Sequence, residues 1–286
     1  MKALEQFALA IGAEEGLASG FETEKGIYQT YLSNEAWDTL LTGMCPAHRE
    51  QFGKGSGGEL ESKKGNPPKM AAFASSSRMT HRLSCKIPGF CFEKHLHTCI
   101  GGVANLDGFR ETEDCITFVE AKCQEPYSHK SPEIVRNNYK PLYLYLQEKL
   151  PELFRCELQE QPDSRNMIVK FFCGEEEVIG FDIKQMLCHL LGTANMLLQT
   201  QNYHKQSLFL YLIYDPTTLA PAKELLPIYQ KTCQVAEAYN FKKLFGCVVD
   251  FLRTQKTYAA TDAQAELLKA NFRFALRNQN NYNSFF

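Results

Sequence analysis

Apolar residues recur along this chain with two different periods, and the periods predict where helices and strands fall. The clearest helical stripe covers 183–199, where Met186, Leu187, Leu190, Leu191, Ala194 and Leu198 recur three and four residues apart and share one face. Tyr139, Leu142, Tyr143 and Leu146 carry the same period through 133–149 and predict a second helix. Residues 222–239 and 262–277 read as further helices, with 278–286 as a frayed tail. Short β-rich runs predict strands at 90–100, 103–109, 116–123 and 244–251, and a hairpin built from 167–172 and 178–181. The run Ser-Leu-Phe-Leu-Tyr-Leu-Ile-Tyr at 207–214 is apolar on both faces, as in a fully buried strand. Residues 1–50 look helical, with Ser33 and Asn34 placed to cap a helix over 35–42 and Gly43 to end it. Gly, Lys and Pro between 53 and 69 predict a loop or a broken helix, and 71–82 fits no single period.

Strands in succession, then a helix and another strand with flanking helices, indicate an α/β fold with a mixed central sheet. The chain divides into a helical N-terminal extension packed on the core (1–52), an α/β domain (53–260), and a C-terminal helix with its tail (261–286). Its 286 residues, 44% hydrophobic and 22% charged, suit a globular protein with a sizeable core. A formal charge of −2 argues against a protein that coats nucleic acid indiscriminately. Charge is unevenly spread, however: residues 49–94 hold nine Lys or Arg against four acids. No apolar run reaches the roughly 18 residues of a membrane span, and the N-terminus lacks the apolar core of a signal peptide. Eleven cysteines, an odd number without a secretory signal, read as reduced thiols and predict the cytoplasm.

Chemistry concentrates in 105–122, Asn-Leu-Asp107-Gly-Phe-Arg-Glu-Thr-Glu-Asp-Cys-Ile-Thr-Phe-Val-Glu120-Ala-Lys122. It reads as two strands joined by a charged turn. Alternate residues of a strand share a face, so Glu120 and Lys122 point the same way, about 6–7 Å apart along the backbone. A hairpin can bring Asp107 beside them. Two carboxylates and an ammonium suit a divalent cation and a phosphodiester. The tripeptide alone carries little weight, because chance yields about two acid-x-Lys matches in a chain of this composition. Three occur: Glu61-Ser-Lys63, Glu120-Ala-Lys122 and Asp182-Ile-Lys184. Glu61 lies in a Gly/Lys-rich stretch without strand pattern. Asp182 has Pro162-Asp163 upstream, but Asp163 sits in a polar loop, and Asp182 itself reads as a helix N-cap with Gln185 in capping-box position. Only Glu120 follows a β-rich run, Ile116-Thr-Phe-Val119, with an acid on the neighbouring strand.

The order of pieces over residues 55–255 resembles the PD-(D/E)XK, or restriction-endonuclease-like, nuclease superfamily. Ala-Asn-Leu-Asp107-Gly-Phe is similar to its aspartate strand and Phe-Val-Glu120-Ala-Lys122-Cys to its (D/E)XK strand. Asp-Ile-Lys-Gln185-Met-Leu-Cys-His189 resembles the Gln-centred helix of exonuclease-like and uncharacterised bacterial members, with His189 where many carry tyrosine and Leu106 where many carry proline. The resemblance implies a three-layer core around a mixed sheet and a Mg2+- or Mn2+-dependent nuclease. Asp107, Glu120 and the Ala121 carbonyl would hold the ion, since hard oxygen donors suit magnesium. Lys122 would orient the attacking water or stabilise developing negative charge, and Gln185 would hold phosphate or a metal-bound water. Many members add an acid from the first helix, for which Glu59 is the candidate, with Glu61 second. Nucleic acid, DNA ahead of RNA, is the implied partner; the oligomeric state is open, a homodimer included.

Each residue has a plainer reading. Asp107 can cap the turn into Gly108, Glu120 and Lys122 can be a cross-strand ion pair, and Gln185 can be only the partner of Asp182. His189 reads as a satisfied core histidine. Cys91, Glu93, His95, His97 and Cys99 fall on alternate positions and invite a zinc reading. Ligands strung along one strand span too far for one ion, and no Cys-x-x-Cys pair occurs. A serine-hydrolase elbow and a phosphate-binding Walker loop are both missing from the sequence. The remaining alternative is a catalytically inactive protein of the same fold that binds nucleic acid or a partner.

Overall fold

The N-terminal fifty residues are not helical throughout. In the computed structural model, which describes residues 3–55, 58–128, 131–161, 164–219, 222–255 and 258–282, helix α1 (Ala3–Glu14) is followed by hairpin β1 (Ser19–Thr23) and β2 (Gly26–Leu32). The turn between them closes at Gly26, whose φ of +124° a residue with a Cβ rarely adopts. Helix α2 (Asn34–Gly43) starts where expected, with the Ser33 hydroxyl accepting the Ala36 N–H at 3.2 Å. Helix α3 (Pro46–Lys54) comes next, then α4 (Ser76–Ser84), whose N-cap Ser75 accepts the Arg78 N–H at 3.1 Å.

Strands β3 (Phe90–His97), β4 (Val103–Glu111) and β5 (Cys115–Lys122) form the predicted antiparallel meander. Helix α5 (Glu125–Ser128) leads to β6 (Glu133–Arg136) and α6 (Lys140–Lys149). The helix expected from 133 thus begins only at Lys140, because Pro141 fits just its first turn and disfavours helical backbone before it. A second sheet, in the order β6-β8-β7 with β9 beside β8, contains β7 (Arg155–Glu160), β8 (Asn166–Cys173) and β9 (Glu176–Glu177). The partner of 167–172 is therefore chiefly the upstream β7, and 178–181 is not a strand. Asp163 lies outside the described residues.

Helix α7 (Ile183–Thr200) and strand β10 (Gln206–Ile213) fall where periodicity places them. After α8 (Ala222–Ala238), the strand expected at 244–251 is instead part of helix α9 (Phe241–Gln255). Phe241, Leu244, Phe245, Val248, Val249 and Leu252 are all buried, a stripe at helical spacing that a short apolar window hides. Helix α10 (Asp262–Asn271) gives way at Phe272 to β11 (Phe272–Asn278), so the helix does not extend to 277. Nor is Tyr282 frayed: it is buried, with its hydroxyl 2.5 Å from Ser84 Oγ. Residues 283–286 are outside the described set.

The central sheet has five strands in the order β11-β10-β5-β4-β3, with β10 parallel to both β5 and β11. Each face carries its own core. Ile116 and Phe118 of β5 pack with the Leu-rich face of α7, α9 and the second sheet. Val119, Ala121 and Cys123 pack with Phe7, Trp37, Phe52 and Met79 from the N-terminal elements and α4. The alternation aims Glu120 and Lys122 at α7. That helix lies close to the sheet because Gly192 has no Cβ; one built there would stand 2.7 Å from the Leu96 Cβ. Among the described residues no helix is long and apolar enough to cross a membrane.

Candidate metal and catalytic centre

The β4–β5 ladder runs from Glu111↔Ile116 to Gly108↔Val119 and ends there. The next residue on each strand is Asp107 and Glu120. Past the last rung the Asp107 Oδ2 accepts the Ala121 N–H at 2.8 Å. A side chain replaces the main chain as acceptor where the strands part, and this brings Asp107 to the (D/E)XK-like strand. Glu120 and Lys122 share a face as expected, with Lys122 Nζ 2.5 Å from Glu120 Oε1. They are no exposed surface pair: Glu120 is 2% and Lys122 8% exposed.

Two further groups complete the cluster, and sequence reasoning gave neither this role. His189, one turn past Gln185 on α7, places Nε2 3.0 Å from Glu120 Oε2. The approach is not aligned for hydrogen bonding, so Glu120 Oε2 and both ring nitrogens of His189 are buried without a hydrogen-bond partner. The expected satisfied core histidine is buried but unsatisfied. Glu93 lies between the pairs Phe92↔Gly108 and Lys94↔Leu106, hence opposite Asp107. Its φ of +52° is uncommon for a non-glycine residue and marks a local strain. Alternation breaks there: Phe90 and Phe92 belong to one core and Leu96 to the other. The single face proposed for Cys91, Glu93, His95, His97 and Cys99 therefore does not exist. Ser77 Oγ of α4 donates to the Glu93 carboxylate at 3.4 Å, and nothing in residue spacing announces that placement.

Electrostatics divides the carboxyls. Burial raises the Glu120 carboxyl, but His189 and Lys122 outweigh it and push it down to about 2. Burial, with Glu120 and Glu93 adding to it, raises Asp107 well above the usual range, against the pull of Lys122 and the Ala121 N–H. Glu93 is pushed up to about 7 by burial and by Glu59 and Glu120. Burial alone would lower Lys122; Glu120, Glu125, Tyr211 and Asp107 hold it above its ordinary value. Several acids thus share too little positive charge, an imbalance that a divalent cation relieves. Donor chemistry fits Mg2+ or Mn2+ in type: the oxygens are hard, and Glu120 Oε2 is buried and meets only His189 Nε2, at 3.0 Å and out of hydrogen-bond alignment. The fit rests on two side chains and a main-chain carbonyl. No group of three or more His, Cys, Asp or Glu with metal-holding geometry occurs among the described residues.

The other candidates are less central. Gln185 is the third residue of α7, and its main-chain N–H donates to the Asp182 carboxylate at 2.7 Å. Its side chain lines a cleft of about 390 Å3 with Lys122, Glu125, Asp182 and Tyr211. Of the Asp107–Glu120–Lys122 trio, Lys122 alone lines that cleft. Glu59 is buried, yet it lies in coil and not on a helix; it stands 3.8 Å from Lys69 Nζ and reaches the cluster through Glu93. Glu61 is exposed. Arg49, Lys54, Lys69, Arg82 and Lys86 of the basic segment are exposed, whereas Arg78 is buried against Glu15 at 2.6 Å. A cavity of about 1070 Å3 lies between α1, α2 and α4, and Arg78 and Glu15 are among the residues that line it. None of Asp107, Glu120, Lys122 or Glu93 lines it. No family model, no curated protein and no solved structure matches this chain.

Proposed function

We propose that this chain is a metal-dependent nuclease that hydrolyses phosphodiester bonds, with DNA the expected substrate and Mg2+ or Mn2+ the ion. One observation carries the reading: the buried Glu120–Lys122 pair and the half-buried Asp107 meet where β4 and β5 part, with Asp107 Oδ2 accepting the Ala121 N–H. The succession α4-β3-β4-β5-α7-β10 also follows the order expected of the PD-(D/E)XK superfamily, interrupted by the second sheet. Asp107, Glu120 and the Ala121 carbonyl would hold the ion, which when bound lowers the pKa of water and neutralises charge on the phosphate. Lys122 reaches from the cluster to the cleft wall, where an ammonium can orient the attacking water and stabilise charge developing on the phosphoryl oxygens. Gln185, on the same cleft, supplies an amide for phosphate. The exposed cations of the basic segment offer the non-specific attraction that a polyanion requires.

The test is cleavage of single- and double-stranded DNA with Mn2+, comparing wild type with Asp107→Ala and Lys122→Ala. Activity is expected to fall about 100-fold or more in both. Cleavage that survives both substitutions would remove this site from consideration. A binding protein of the same fold is the second reading, and the closed Lys122–Glu120 pair favours it. DNA binding without cleavage under any metal would establish it.

A further inference from the structure

We infer that His189 is a positioning residue for Glu120, holding from α7 the carboxylate oxygen that Lys122 does not, so that Glu120 keeps one orientation toward the cation. The inference rests on the nuclease reading. Its basis is an anomaly in the core. The buried face of α7 is built from Ile183, Met186, Leu187, Leu190, Leu191, Leu197 and Leu198. A leucine at 189 would fill its place without stranding polar atoms, whereas the imidazole buries two ring nitrogens with no hydrogen bond, an unfavourable arrangement in a dry core. What distinguishes the position is the atom that Nε2 meets, Glu120 Oε2 at 3.0 Å.

Glu120 is thereby approached on both oxygens, by Lys122 from its own strand and by His189 from the helix above. A small rotation of the ring aims an Nε2–H at Oε2 and turns the approach into a hydrogen bond. Partners of this kind fix the orientation of metal-binding carboxylates, and removing one typically lowers metal affinity about 10–100-fold. Gln185 and His189, four residues apart on one helix face, divide the work: Gln185 meets the cleft and His189 the carboxylate beneath it.

The experiment measures Mn2+ affinity calorimetrically on the full chain, with His189→Phe and His189→Leu as apolar replacements of different size. His189→Gln serves as the conservative variant that keeps an N–H donor. Affinity is expected to drop about 10-fold or more in whichever apolar variants fold, and to stay within about threefold of wild type in His189→Gln. A second arm needs no metal: thermal midpoints of Glu120→Gln, His189→Leu and the double variant in EDTA should be non-additive, as for residues in contact. Wild-type affinity in the apolar variants, or an additive cycle, would overturn the role of His189 and leave the nuclease reading intact. A wild-type chain that binds no Mn2+ would instead remove the nuclease reading, and this role with it.

Discussion

Glu120-Ala-Lys122 and Asp182-Ile-Lys184 are spelled alike, an acid, an aliphatic residue and a lysine, yet they do unrelated work. On β5 the period of two turns Glu120 and Lys122 to the same face, and both are buried at 2.5 Å from each other. At the start of α7 the same spacing separates the two groups. Asp182 caps the helix by accepting the Gln185 N–H, and Lys184 reaches instead to Glu133 at 3.6 Å, partly in solvent. A tripeptide therefore acquires chemistry from the period of the element that carries it and from the depth of its burial. Glu61-Ser-Lys63 has neither, and its carboxylate is exposed.

The largest expected difference between the two tripeptides lies in turnover. Glu120→Gln should lower Mn2+-dependent cleavage about 100- to 1000-fold, whereas Asp182→Ala, which touches the site only through the cleft wall and the start of α7, should lower it far less and cost about 1 kcal/mol of stability through the lost cap. Equal losses of cleavage in both would break the contrast. Stability comes next. Lys122→Met leaves a buried carboxylate without its cation and is expected to cost about 3–5 kcal/mol in denaturant unfolding. Lys184 is itself partly in solvent although Glu133 is buried, so Lys184→Met should cost less than Lys122→Met. Adding Glu120→Gln to Lys122→Met should recover much of the loss, since the uncompensated charge goes too.

A smaller effect sharpens the view of the β5 site as short of positive charge. The Glu93 carboxyl rises from an ordinary 4.5 to about 7 in the folded chain, so the native state holds that proton more tightly than the unfolded one. The resulting stability is fully present below about pH 4.5 and disappears as pH climbs through 7. Glu93→Gln, compared with wild type in EDTA, should therefore become relatively more stable between pH 4.5 and 7 and level off above. The gain is about 3 kcal/mol at most. A flat difference across that window would show that Glu93 does not feel its neighbouring acids.

Much of the frame around the site is legible in the chain. The meander, the long helix α7 and the buried strand β10 follow from hydrophobic period, because each is long or apolar enough for local pattern to decide. Ser33 and Asp182 cap helices as read, because a cap is a bond between near neighbours in sequence. Elements failed where two periods compete in a short window, as in 244–251, or where partners are far away. β11 forms beside β10, and the alternation of Phe272, Phe274 and Leu276 with Arg273 and Arg277 is a period of two that the helical pattern just before it masks.

By itself the sequence determined the α/β alternation and set Glu120 and Lys122 on one face of one strand, because strand geometry acts over two residues. Tertiary structure decided the rest of the site. It ended the β4–β5 ladder so that Asp107 met Ala121, reversed the faces of β3 at Glu93, and set His189 against Glu120 from a distant stretch of chain. Those are contacts between elements, fixed by ladder register and by how closely α7 lies on the sheet, and local period carries no information about either.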